Sequence, residues 1–112
     1  MKKVYYLDFD FDHAPNSIAE MELEDFFWEN FGRMGFIKTR KEAKANMLDL
    51  YHEIKANGLW KKLRDEKSNN TITLDLIKGE VDDDYDIYSE DALIWQIDNH
   101  YVVEGRYILG RY

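Results

Sequence analysis

Tyr5, Leu7, Phe9 and Phe11 alternate with Tyr6, Asp8, Asp10 and Asp12. Successive side chains of a strand point to opposite faces, so this period of two predicts a half-buried β-strand. Its inner face is aromatic and its outer face carries carboxylates. His13-Ala14-Pro15-Asn16 ends the strand, because proline cannot donate to a ladder and asparagine favours turns.

The pattern then changes from two to three and four. Ser17-Ile18-Ala19-Glu20 reads as a capping box, in which the serine hydroxyl takes an orphan N–H and the glutamate reaches back. Behind it Leu23, Phe26, Phe27, Phe31 and Met34 form an apolar helical stripe, with Gly32 and Gly35 as stop signals. Thr39-Arg40-Lys41-Glu42 repeats the capping pattern, and Ala43, Met47, Leu50, Tyr51 and Ile54 make a second stripe. Asn57-Gly58 supplies a left-handed exit, and Leu59, Trp60 and Leu63 suggest one or two further helical turns.

After the turn Ser68-Asn69-Asn70, alternation returns. Ile72, Leu74 and Leu76 interleave with Thr71, Thr73 and Asp75, giving a second strand that ends near Gly79. Residues 82–86 form an acidic loop. From Ala92 onward β-branched and aromatic residues dominate, which favours a hairpin turning at Asp98-Asn99-His100 into a strand from Tyr101 to Ile108. Ser89-Glu90-Asp91 also resembles a helix start. The expected order is β-α-α-β-β-β. It implies an α+β fold with an antiparallel sheet of about four strands packed against two amphipathic helices. With 112 residues, 45% hydrophobic and without an internal repeat or linker, residues 1–112 read as a single globular domain.

Several chemistries have little to work with. The chain has no cysteine, so disulfides, thiolate metal sites and a cysteine nucleophile are excluded, and a reducing compartment is the expectation. Four apolar positions precede Asp8 at the N-terminus, fewer than the roughly 7–15 of a secretory h-region, and the expected location is cytoplasmic. His13, His52 and His100 are far apart and lack zinc-ligand spacing. Asp82, Asp84 and Asp86 match the first positions of a calcium loop. Ile87 then stands where the sharp turn wants glycine, and no glutamate closes the loop. No cofactor is expected.

Asp8 and Asp10, two carboxylates at the end of an apolar strand, suit Mg²⁺-dependent phosphoryl transfer. The run Tyr5-Tyr6-Leu7-Asp8-Phe9-Asp10 resembles the first motif of haloacid-dehalogenase-type phosphatases, which implies a Rossmann-like parallel sheet and an aspartate nucleophile. Phe11-Asp12-His13 replaces that family's small turn, and no later lysine and acidic-pair motif follows.

Charge is distributed unevenly. Net charge is −8; residues 1–32 carry two basic residues against eight acidic, 33–67 carry ten against five, and 68–112 carry three against ten. The basic middle, Lys38 to Lys67 with Trp60, would serve a nucleic-acid-binding module. Partial neutralisation of the acidic ends accounts for it more simply, and direct nucleic-acid binding is not expected.

Rows of fixed negative charge can imitate a phosphate backbone and speed encounter with a basic protein. Tyr85, Tyr88, Trp95 and Tyr101 near the second acidic run suit interface anchors. The expectation is therefore a small non-enzymatic binding protein, an inhibitor or immunity or anti-defence factor of phage or mobile-element type. It would occupy the basic surface of a nuclease or other nucleic-acid-handling enzyme through Asp8, Asp10, Asp12, Asp82, Asp83, Asp84 and Asp86. Phe26, Phe27, Trp28, Phe31 and Phe36 exceed what one helical stripe can hide, and a homodimer would cover the remainder.

Overall fold

The computed structural model describes residues 2–84, 87–98, 101–104 and 107–111. Strand β1 (Lys2–Phe11) leads into helix α1 (Ile18–Glu29) and a 3-10 turn (Phe31–Arg33). Helices α2 (Arg40–Ala56) and α3 (Leu59–Asp65) follow, and then strands β2 (Ile72–Val81), β3 (Ile87–Asp98), β4 (Tyr101–Glu104) and β5 (Tyr107–Arg111). The strands form one sheet in the order β1-β2-β3-β4-β5, with every neighbouring pair antiparallel. The α+β class matches expectation. Among the described residues, however, there are three α-helices instead of two and five strands instead of four. None of these helices is long and apolar enough to cross a membrane.

Each departure has a local cause. Gly58 adopts a left-handed φ of 73°, which turns the chain sharply after Asn57 and lets a new helix begin. Leu59, Trp60 and Leu63 are all buried, so packing stabilises α3 although it has only 7 residues. Helix α1 stops at Asn30, ahead of the expected glycines. The Asn30 side chain donates to the Phe26 carbonyl at 2.9 Å, and its own amide is shared between Phe26 and Phe27. The strand anticipated from Tyr101 to Ile108 is two strands, β4 and β5, paired with each other. Ser89-Glu90-Asp91 belongs to β3.

The core lies between the helices and one half of the sheet. Leu23 and Phe27 of α1, Ala43, Met47, Leu50 and Ile54 of α2, and Leu59, Trp60 and Leu63 of α3 share one buried cluster with Leu7, Ile72, Leu74, Leu76 and Ile97 of the sheet. At Leu76/Ile77 the buried side of the β1–β2 ribbon changes. Residues 72, 74 and 76 are buried towards the helices, whereas Val4, Tyr6, Ile77 and Val81 form a smaller cluster on the other face. The β2–β3 register shifts at that same step and twice more towards Val81.

A buried polar clasp ties the ribbon's end to α1. Asn70 accepts from the His13 amide (2.8 Å) and donates to the His13 carbonyl (2.7 Å), so its side chain acts as one more ladder partner beyond Phe11 and Ile72. The same amide nitrogen donates to Glu20 Oε1 at 2.6 Å, while the Ser17 hydroxyl donates to Glu20 Oε2 at 2.9 Å. Glu20 and Asn70 are only 2% and 4% exposed, so these bonds satisfy groups that water cannot reach. Ser17 caps the Glu20 amide as expected, but the glutamate reaches to Asn70 as well as back to its cap.

Two predictions follow from these termini. Asn70→Ala removes these three hydrogen bonds, so that Glu20 Oε1 and both His13 backbone groups lose their Asn70 partner. At about 1 kcal/mol per bond, with a further cost for the buried carboxylate, it should destabilise the fold by about 3 kcal/mol in urea denaturation. A loss under about 0.5 kcal/mol would show that the clasp contributes nothing net. At the end of α3, Ser68 N–H bonds the Leu63 carbonyl and Lys67 N–H bonds Arg64, a Schellman ending with non-glycine Lys67 at φ 54°. Lys67→Gly should relieve roughly 1–2 kcal/mol of left-handed strain and give back about half through unfolded-state entropy, for a rise in melting temperature of a few degrees.

Candidate partner-binding surface

Strand β1 lies at the edge of the sheet, and its backbone directions decide what that edge offers. Asp12 N–H bonds the Thr71 carbonyl at 2.9 Å, so even-numbered amides point towards β2. Odd-numbered amides and carbonyls point outward. The chain from Met34 to Ile37 covers the first of them: Tyr5 and Ile37 exchange backbone bonds of 2.8 and 2.7 Å, and Leu7 N–H bonds the Met34 carbonyl at 2.9 Å. This cover is anchored by the buried side chains of Met34 and Ile37, by Asn46 Nδ2 donating to the Arg33 carbonyl at 3.3 Å, and by an ion pair between Arg33 and Glu53.

Beyond Leu7 no described backbone segment pairs with the outer edge of β1. The outward Phe9 amide is taken up locally, donating to Asp8 Oδ1 at 2.9 Å. Phe11 is the next outward-facing residue of the strand.

Asp8 and Asp10 share the face of β1 turned away from the helices, and Asp12 follows in the same register; all three are exposed. Neighbouring carboxylates on this face are set by the strand rise at about 6.8 Å. The ladder adds a residue that the sequence reading did not single out: Asp75 stands directly opposite Asp8, with Cα atoms about 5.5 Å apart for such a hydrogen-bonded pair. Local alternation cannot reveal that pairing, because it depends on the register between strands more than sixty positions apart in the chain.

The reverse side of the same residues is aromatic. Phe9 stacks on buried Phe27 at 4.8 Å between ring centroids and meets Trp28 edge-on at 5.2 Å, and Trp28 lies 5.5 Å from Phe31. Trp28 is 58% exposed and Phe31 53%. Phe31 leads into Met34, whose carbonyl sits on the β1 edge, so the two exposed rings flank that edge beside Phe9. The surplus of aromatics noticed in the sequence is therefore partly surface: Phe27 is buried, Phe26 half-buried, and Trp28, Phe31 and Phe36 remain exposed.

The second acidic group lies elsewhere. Asp82, Asp83 and Asp84 follow Val81, which pairs with Lys2 at the start of β1. Asp8 is six positions along from Lys2 and Asp12 ten, placing the two groups about 20–33 Å apart along the ribbon. Asp82 also has a local task, accepting from the Asp84 amide at 2.9 Å to close an Asx-turn. Asp86 and Tyr85 lie outside the described residues, as does His100. The structure thus brings Asp8, Asp10 and Asp12 together with Asp75 and does not bring Asp82, Asp83 or Asp84 to them.

For the phosphoryl-transfer alternative, β1 is paired antiparallel with β2, unlike the parallel sheet that the phosphatase resemblance implies. Among the described residues no three histidine, aspartate or glutamate side chains are grouped to hold a metal ion. Among the described residues, surface grooves of ≈ 360 and ≈ 430 Å³ lie between α1 and α3 and beside the 32–38 segment, and neither of these is lined by Asp8 or Asp10. The basic residues are divided as well. Lys41 and Lys55 are fourteen residues apart on α2, about 21 Å along its axis, and Lys62 is paired with Glu22 at 2.8 Å.

No protein-family model matches this chain, and neither a curated protein nor a solved structure matches it at a significant level.

The Arg33–Glu53 pair makes the edge cover testable. The hydrogen bond from Arg33, with its charge in support, holds the Glu53 carboxyl below the ordinary glutamate range against a smaller upward push from desolvation. A depressed folded-state value means that the pair's contribution is complete above the ordinary glutamate pKa and is lost as pH falls through the folded value. In an NMR titration Glu53 should protonate below the ordinary glutamate value, and Arg33→Ala should return it towards that value. Unchanged titration in Arg33→Ala would show that the contact does not form in solution.

Proposed function

We propose that the protein is a non-enzymatic binding factor of inhibitor or immunity type that occupies a basic, nucleic-acid-binding surface of a target protein. The observation that carries this reading is the juxtaposition on β1: a regular row of exposed carboxylates, Asp8, Asp10 and Asp12, whose strand also supports the exposed rings of Trp28 and Phe31. A carboxylate row steers a cationic partner and sets its register. Large aromatic side chains supply the apolar contact that surface charge alone does not. The contact surface in this proposal centres on Asp8, Asp10, Asp12 and Asp75. Asp82, Asp83 and Asp84 would form a second contact only on a partner large enough to span the ribbon.

The test uses basic nucleases and other nucleic-acid-handling enzymes as candidate targets, with binding followed by calorimetry across a salt series. Affinity for a true target should fall at least about tenfold between 50 and 300 mM salt, because exposed charges are screened beyond about 10 Å at 0.1 M. The triple variant Asp8→Asn, Asp10→Asn, Asp12→Asn should weaken it by roughly 5- to 100-fold, the sum of three exposed pairs of up to about 1 kcal/mol each. A target whose binding is indifferent to both salt and the triple variant would refute the proposal.

A further inference from the structure

We infer that the stretch of the β1 edge that no described segment covers, Asp8 to Asp12, accepts an added β-strand from the partner, and that the segment it takes alternates lysine or arginine with apolar residues. This rests on the reading that the partner is basic and specifies the element that is bound.

The backbone argument comes first. Phe9 and Phe11 direct their amides and carbonyls away from β2, and the Met34–Ile37 segment stops short of them. That segment already shows how this edge is used, since Tyr5 and Ile37 exchange a pair of antiparallel bonds. A partner strand would continue the same geometry along Phe9 and Phe11. Adding a strand to an exposed edge is a recurrent mode of peptide recognition, with main-chain bonds for affinity and alternate side chains for specificity.

The side chains then specify the occupant. On one face of the added strand, alternate residues would lie beside Asp8 and Asp10; on the other they would lie beside Phe9, Phe11 and the exposed rings of Trp28 and Phe31. Opposite charges across a strand pair are favourable and like charges directly opposite are unfavourable. A second copy of β1 would set aspartates against aspartates, so the edge discriminates against self-pairing. An extended cationic segment with apolar residues between its charges meets both faces.

Asp8 couples the two recognitions. Its carboxylate holds the Phe9 amide at 2.9 Å in the unbound protein. That contact protects an exposed edge in the way charged edge residues commonly do. A lysine or arginine that draws the carboxylate away releases the amide for the incoming strand.

Three ten-residue peptides test this on the intact protein at low salt: alternating Lys and Val, the same sequence N-methylated at alternate residues on its pairing edge, and alternating Glu and Val. Strand addition requires the Lys–Val peptide to slow amide exchange at Phe9 and Phe11 by at least about tenfold. N-methylation, which keeps the charge but removes the main-chain donors, should weaken binding by about tenfold or more. The Glu–Val peptide should not bind. Equal binding of the two cationic peptides without protection at Phe9 and Phe11 would overturn strand addition and leave the acidic binding surface standing. Failure of every cationic peptide to bind would count against both. A dimer in sedimentation whose interface protects Phe9 and Phe11 would overturn the choice of occupant.

Discussion

The pairing of β1 with β2 joins the two ends of a loop that contains all three helices. Closing such a loop has an entropic cost that grows slowly with length, and it must be offset where the ends meet. Here the offset is concentrated at the closure point. The ladder runs without a register shift from Lys2/Val81 to Phe11/Ile72, continues through the Asp12–Thr71 bond, and ends in the buried clasp of Asn70 with His13 and Glu20. Because Glu20 also belongs to the first turn of α1, the clasp sets the helix start relative to the strand end. That relation brings Phe27 under Phe9.

Everything proposed about the surface depends on this register. A one-residue slip of β1 would turn Asp8 and Asp10 towards Leu23 and Phe27 and expose Leu7 and Phe9, which is why pairing is strongly specified where one face is buried. The same register places Asp75 across from Asp8 and sends Asp82 to Asp84 to the far end. The carboxylate row thus follows from core packing as well as from surface chemistry. Once aromatic residues occupy the inner positions, the outer positions are open to polar residues, and this chain has aspartate at Asp8, Asp10 and Asp12.

How much of this was legible in the residues follows the range of each interaction. The strand through Tyr5 to Phe11, the caps at Ser17 and Thr39, the α2 stripe and the left-handed Gly58 are local patterns, and each appears in the structure, with β1 starting earlier, at Lys2, and ending one residue before Asp12. Helix α1 ends before Gly32 because the Asn30 side chain competes for the Phe26 carbonyl before any glycine is reached. Helix α3 leaves only a weak local signal, because seven residues have little intrinsic helicity and are stabilised by the burial of Leu59, Trp60 and Leu63. Long-range facts were not legible at all. These include the change of buried face at Ile77, the Asp8–Asp75 pair, the bond from Asn70 to Glu20, and the separation of the two acidic groups. Of the candidate surface, the sequence marked the carboxylate row and the surplus aromatics, but not that both belong to one strand edge.

The sign and the shape of that edge have different consequences. Exposed ion pairs contribute up to about 1 kcal/mol each, and salt screens them, so four aspartates give a partner orientation and encounter rate more than residence time. Trp28 and Phe31 are of the residue size that dominates interface energetics when desolvated. Their exposure beside an edge with outward backbone groups is a liability for any monomer, since it invites pairing with whatever strand is near. The aspartates resolve that conflict by sign. In the proposed reading they would repel a second copy, whose corresponding edge carries the same charges, without closing the edge to a cationic chain. A neutral edge with the same rings would be sticky without discrimination, and a charged edge without them would be selective but weakly bound. In the proposed reading, aspartates on β1 and rings beside it would together select a partner that is both basic and extended.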